Sequence, residues 1–348
     1  MKVRRLLTLG LFVAALQPVW GNVQDLAAAS DADTLSVLQA AADKGNVDAQ
    51  FKLGWKYLNG EGVDVDRTAA FHWYSMAAKQ GNVAAQNSLG VLYLNGLGVT
   101  RDTKAARDWF IKAADQGDVL AKINLGDLYI AGDGIDRDVK KAIALYVEAA
   151  NAGNGTAANN LGTMYLNGED VTKDTAQAIS WFRKGADAGN PLAQFNLAQS
   201  YRTGDGVEKN IAEAIHLLQE SAKRGFPIAQ NALATIYLNG DGVPQDAAQS
   251  FTLFQAAAAK GLPDAQNGLG VLYLNGLGTE KNLTEALSWF QKAVDLGSVD
   301  AEVNLGLMYE SGQGVAADRN AAIKLYRKAA SRGNAVARSN LERLGVHS

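Results

Sequence analysis

The chain has 348 residues, of which 47% are hydrophobic, with 33 Lys and Arg against 36 Asp and Glu and no cysteine. That apolar content supports a packed core, and no low-complexity tract points to disorder. No run or stripe of one charge gathers anywhere, which excludes the phosphate-gripping surface of a nucleic-acid binder, and without cysteine neither disulfides nor an N-terminal lipid-modified cysteine is available.

In chain order, the first segment differs from the rest. Lys2, Arg4 and Arg5 precede an apolar run from Leu6 to Leu16, followed by Gln17, Pro18 and Val19-Trp20-Gly21. This is the pattern of a secretory signal peptide over residues 1–21, and its apolar core is well short of the ~20 residues of a spanning helix. Gly21 with Val19 two places before it fits a cleavage site, the Ala27-Ala28-Ala29 cluster being the alternative, so Asn22 is the expected mature start. Loss of residues 1–21 removes three basic and no acidic residues and leaves a net charge of −6. No later apolar run reaches the length of a membrane span. The expected product is an exported protein, periplasmic or secreted, monomeric and held together by packing alone.

Beyond this segment glycine recurs every 36 residues, at Gly45, Gly81, Gly117, Gly153, Gly189, Gly225, Gly261, Gly297 and Gly333. The tyrosines from Tyr57 to Tyr309 and the alanines from Ala49 to Ala337 keep the same step, so one supersecondary unit repeats without insertion. Residues 22–45 read as an N-terminal capping half repeat, 46–333 as eight full repeats, and 334–348 as a C-terminal capping helix and tail. Within a unit, Ala85, Leu89, Leu92 and Tyr93, and then Ala106, Trp109, Phe110 and Ala113, recur at helical spacing. Each repeat is therefore a pair of helices. Asn46, Asn82, Asp118, Asn154, Asn190, Ser298 and Asn334 are placed to cap the first helix, and Pro191, Pro227 and Pro263 fall in its first turn. Asp66, Asp102, Asp138, Asp174, Asn210, Asp246, Asn282 and Asp318 cap the second, so these acids are structural. The 36-spaced glycines end the second helix, and pairs such as Gly96 and Gly98 make the turn between the two.

Inside the first helix one position is filled by Gly54, Gly90, Gly126, Gly162, Ala198, Ala234, Gly270 and Gly306. Glycine there costs about 1 kcal/mol against alanine. Its recurrence predicts the close approach of another backbone, where a neighbouring helix crosses.

The pattern Ala-x3-Leu-Gly-x2-Tyr-x2-Gly-x-Gly-Val-x2-Asp, followed by Ala-x2-Trp-Tyr/Phe-x2-Ala-Ala-x2-Gly, resembles the Sel-1-like repeat, the 36-residue relative of the tetratricopeptide repeat. The resemblance spans Asn46 to Gly333, with half units at Asp31 to Lys44 and Asn334 to Leu344. Departures are Asp170 in place of the second turn glycine, Leu218 in place of the aromatic and Thr279 in place of the turn valine. It implies an all-α fold, a right-handed superhelical solenoid of antiparallel helix pairs, in which each unit buries its apolar faces against its neighbours and the mature chain forms one domain.

The sequence carries no recognisable catalytic or metal-binding constellation. His72 and His216 share a repeat position four units apart and His347 lies in the tail, so the three cannot converge locally. No nucleophile, zinc, P-loop or dinucleotide motif is present, and no metal or cofactor is expected. Gly60-Glu61-Gly62, Gly132-Asp133-Gly134, Gly204-Asp205-Gly206 and Gly240-Asp241-Gly242 carry too few oxygens for a calcium loop and read as solvated turns. Some cysteine-rich members of the family are linked to β-lactams and peptidoglycan fragments, but this chain lacks their cysteine framework. The chain is read as a non-enzyme.

By resemblance to tetratricopeptide arrays, the first helices line a concave groove that takes a protein or extended peptide. Because Ala49, Leu53 and Tyr57 face the core, the groove-facing candidates are Phe51, Trp55, Leu58, Asn59, Asn87, Val91, Asn95, Asn159, Asn167, Phe195, Asn231, Asn239, Asn267 and Asn275. Asparagine amides both donate to and accept from a peptide backbone, and the aromatics offer apolar anchors. Two alternatives stay open. Asn59, Asn95, Asn167, Asn239 and Asn275 each precede a glycine and would simply end their helices, and Phe51 and Trp55 would cover the N-terminal half unit. On the groove reading, replacing Phe51 and Trp55 with alanine weakens partner capture and leaves thermal stability nearly unchanged. The functional expectation is an exported adaptor for envelope regulation or host contact; the alternative is a module binding envelope glycan or peptidoglycan fragments.

Overall fold

The computed structural model describes residues 31–168 and 170–346; the signal-peptide reading of 1–21 and His347 lie outside them. Eighteen α-helices and no strands occur among the described residues: α1 Asp31–Asp43, α2 Val47–Asn59, α3 Arg67–Lys79, α4 Val83–Asn95, α5 Thr103–Asp115, α6 Val119–Ala131, α7 Val139–Asn151, α8 Gly155–Asn167, α9 Thr175–Asp187, α10 Pro191–Thr203, α11 Ile211–Lys223, α12 Pro227–Asn239, α13 Ala247–Ala259, α14 Pro263–Asn275, α15 Leu283–Asp295, α16 Val299–Ser311, α17 Arg319–Ser331 and α18 Ala335–Arg343. The described residues form two compact units that divide after Thr172. Within each, every helix packs on its sequence neighbours, so the expected helix pairs are formed.

The caps fall where the sequence places them. The Ala49 amide donates to Asn46 Oδ1 at 2.8 Å, and Asp66 Oδ1 accepts from the Thr68 and Ala69 amides. Phe226 and Leu262 stand at the cap position of α12 and α14 and make no side-chain cap bond; Pro227 and Pro263 at the first helical position remove one donor that would need it. The tyrosine backbone closes the turns: the Asp66, Asp102 and Asp246 amides donate to the carbonyls of Tyr57, Tyr93 and Tyr237 at 2.8–2.9 Å. Asp170 takes over the left-handed conformation of the turn glycine it replaces (φ 67) and ion-pairs with Arg137. Aspartate tolerates this backbone state better than most residues.

The glycines inside the first helices have a different cause from the one expected. A Cβ at Gly90 would sit 2.5 Å from the Phe110 ring, and the rings of Tyr74, Tyr146, Phe290 and Tyr326 press in the same way on Gly54, Gly126, Gly270 and Gly306. The close neighbour is a buried aromatic ring from the paired second helix, not a crossing backbone. The sequence holds the complement: Ala198 is paired with the smaller Leu218, and beside Ala234 the Phe254 ring lies against Gly268 instead. Backbone contact occurs at the second turn glycine. A Cβ at Gly98 would lie 1.9 Å from the Arg67 carbonyl oxygen, and one at Gly278 would lie 2.0 Å from that of Ala247.

Buried glutamines tie one pair to the next. The Nε2 atoms of Gln50, Gln86, Gln230 and Gln266 donate to the carbonyls of Ala42, Ala78, Ala222 and Ala258 in the last turn of the preceding helix, at 3.1–3.4 Å. Gln50 and Gln86 also accept from Gln80 and Gln116, each at 2.7 Å.

Candidate functional site

The face of the first helices assigned to the groove is built by side-by-side contact of those helices. In the second unit α14 touches α16 directly. Asn124 Nδ2 on α6 donates to Asn87 Oδ1 on α4 at 2.9 Å, and Asn304 Nδ2 on α16 donates to Asn267 Oδ1 on α14 at 2.8 Å. Asn87 and Asn267 therefore serve as rungs between repeats. At Asn231 the matching position is Gly268, occupied from the side by the Phe254 ring, and Asn231 Oδ1 is buried without a partner.

The remaining candidates divide by exposure. Val91 and Asn159 are buried, at 7% and 4% exposure, and belong to the packed interior. The side-chain amides of Asn59, Asn95 and Asn275 donate to the carbonyls of Trp55, Val91 and Val271 at 2.9–3.0 Å, so these asparagines close the ends of their own helices. Asn239 donates to Asp241 at 3.3 Å, and Asn167 is exposed. Phe195 packs edge-on against Phe226, ring centroids 6.1 Å apart. Phe51, Trp55 and Leu58 are partly buried against Tyr74, Ala78, Ala85, Leu89 and Leu92, with the Phe51 and Tyr74 rings 5.6 Å apart. They seal the junction with the following helix pair; the N-terminal half unit is covered by a separate cluster of Ala42, Ala49, Leu53 and Trp73. This packing argues against the expectation that their loss spares stability.

What this face does offer lies at one repeat position: Asp127 and Thr163 in the first unit, and Gln199, Thr235, Val271 and Leu307 in the second. Thr235 is exposed and Leu307 is 41% exposed. Among the other charges on the face, Glu310 is bound by Arg343 and Arg202 donates to Gln199. Asp127 accepts a hydrogen bond from the Tyr146 hydroxyl, and burial pushes its carboxyl up to about 7 against the lowering effect of that bond. The same burial raises the Tyr146 hydroxyl well above its ordinary value. The Asp127 carboxyl binds its proton more tightly folded than unfolded. Its contribution to stability is complete below the ordinary aspartate range and is lost as pH rises through about 7. Asp127→Asn, neutral throughout, should raise stability by about 1–2 kcal/mol at about pH 8, and that gain should vanish towards about pH 4. Urea denaturation at both pH values checks this; a gain independent of pH would refute the assignment.

Asp133 is ion-paired with Arg101 of the preceding turn, and both side chains remain exposed, in keeping with a solvated turn. His72 and His216 are exposed, and among the described residues no three His, Asp or Glu side chains gather as metal ligands would. No helix of the described residues is long and apolar enough to cross a membrane. A groove of about 540 Å³ between α11, α12 and α13, lined by Gln219, Leu233, Tyr237 and Leu253, contains none of the candidates.

The Sel1 repeat family model matches eight consecutive segments, 47–82, 83–118, 119–154, 155–190, 191–226, 227–262, 263–298 and 299–334. The chain belongs to the Sel1 repeat family. Among solved structures, this Sel1 repeat protein is similar to c5321, a protective antigen present in uropathogenic Escherichia coli strains, with 36% identity over 89% of this chain and 67% of that one and a TM-score of 0.73. It is also similar to a Sel1 repeat protein from Oxalobacter formigenes, with 32% identity over 96% of this chain and 99% of that one and a TM-score of 0.65. No protein with a curated description matches it.

Proposed function

We propose that this Sel1 repeat protein is a non-catalytic, exported scaffold that holds a protein partner, or an extended segment of one, along the face of its first helices. The observation that carries the reading is the contrast at one repeat position on that face. Most of the large apolar side chains of the array are engaged in packing repeat on repeat, whereas Thr235 and Leu307, at the same repeat position of α12 and α16, stay exposed on this face. A mixed polar and apolar surface of this kind accommodates a peptide backbone and occasional apolar side chains. Export is supported by the composition of residues 1–21.

The test uses a photo-crosslinking residue placed at Thr235 and, as control, at the exposed Gln255 on α13. A protein captured in cells through position 235 and not through 255 is the expected result. Recovery of a glycan without protein would favour the envelope-glycan alternative, and equal capture from both positions would overturn the groove.

A further inference from the structure

Three acids on the first helices are partly or fully buried, and two of them are neutralised from within the chain. Glu302, fully buried, meets Lys328 at 2.9 Å and Arg332 at 3.2 Å. Glu310 accepts from the Tyr326 hydroxyl at 2.9 Å and is gripped by both terminal nitrogens of Arg343 at 2.5 and 2.8 Å. The third is Asp127. Its tyrosine, Tyr146, occupies the same repeat position as Tyr326, and the two rings cover Gly126 and Gly306 in the same way. Asp127 thus shares with Glu310 the bond to this tyrosine, but stands one helical turn earlier in the repeat, at the position of Leu307; at Glu310 the chain itself adds a guanidinium. At Asp127 the guanidinium is missing: among the described residues no basic side chain pairs with it, and burial is the main influence on its ionisation, opposed only by the Tyr146 bond.

A partly buried carboxylate without a counter-charge is costly to keep ionised, and a cation brought by a ligand removes that cost. Glu310 shows that one oxygen can hold the tyrosine while both oxygens receive a guanidinium, and that geometry favours arginine over the point charge of lysine. Asp127 lies on the candidate face, at the repeat position of Thr235 and Leu307, and is only partly buried, so a side chain can reach it.

We propose that Asp127 is a specificity-determining residue of the first unit, receiving a basic side chain, best an arginine, of the bound segment, with Tyr146 positioning its carboxylate. The proposal rests on the peptide-binding reading above.

The probe is a library of random peptides displayed on phage and selected on the full chain and on Asp127→Asn, which removes the charge and keeps an oxygen to accept from Tyr146. The selected peptides should be enriched in arginine on the wild-type chain and not on the variant. Replacing that arginine with citrulline in a selected peptide should weaken binding about tenfold to the wild type and leave binding to Asp127→Asn unchanged. Binders without enrichment in basic residues, or an arginine preference that survives in the variant, would overturn the assignment of Asp127 and leave the groove standing. A library that yields no binder to the wild-type chain would remove the groove reading and this proposal together.

Discussion

Replacing Gly98 with alanine should destabilise the protein by about 3–5 kcal/mol, whereas the same change at Gly81 should cost about 1–2 kcal/mol. Both glycines adopt a left-handed backbone, with φ of +70 at Gly98 and +92 at Gly81, so each substitution carries the conformational penalty of a Cβ in that region. Only Gly98 adds a collision. Its new Cβ would sit 1.9 Å from the Arg67 carbonyl oxygen at the start of the preceding second helix, while nothing lies within 4 Å at Gly81. A backbone atom held in the first turn of a capped helix cannot swing aside as a side chain does. Repeat must then move against repeat. Urea denaturation of the two variants checks the difference; equal losses would mean that the turn is not an interlock between neighbouring pairs.

The double replacement Phe51→Ala with Trp55→Ala should cost about 3–5 kcal/mol, because both side chains are partly buried against the Tyr74, Leu89 and Leu92 cluster and their removal opens a cavity at the junction of two helix pairs. Thr235→Ala with Leu307→Ala, on the exposed part of the same face, should change stability by less than about 1 kcal/mol. Calorimetric melting of the two double variants separates them. A near-wild-type melting temperature for the first pair would restore these aromatics to a purely recognising role. A lowered one means that loss of partner capture in that variant reports unfolding and not recognition.

The repeat length, the helix pairs, the caps and the turn glycines were legible because each is a local matter, decided by residues a few positions apart and repeated in register. Asp66 caps its helix by bonding two amides within three residues, and no distant partner is needed. The purpose of Gly90 was not legible. Its partner Phe110 lies on the opposite helix of the pair, and a gap needed for a ring looks the same in sequence as a gap needed for a backbone. The candidate face suffered most. Helical spacing shows which residues share a side of α2 or α4 but not whether that side is covered by the next repeat, so it assigns Val91 and Asn159 to a groove although both are buried. The asparagines before glycine divide on the same ground, with Asn59, Asn95 and Asn275 closing their own helices. Asp127 was visible as a rare charge on the face. Its lack of a cation could be recognised only by setting it beside Glu310, whose Arg343 arrives from another helix.

The buried glutamines that bind one helix pair to the next are not spread evenly. Gln50 and Gln86 occupy the position in the first two repeats, but Lys122 and Ala158 hold it in α6 and α8. Lys122 turns instead to Glu148 at 2.6 Å, within its own pair, and alanine has nothing to donate. The carbonyls ending α5 and α7 are thus without this bond from the following helix. In a solenoid whose stability is summed over neighbours, these couplings lack one contribution that the first two repeats have. Amide protons in the last turns of α5 and α7 should therefore exchange with solvent faster than those of Ala78 and its neighbours in the last turn of α3, which receives the glutamine bond.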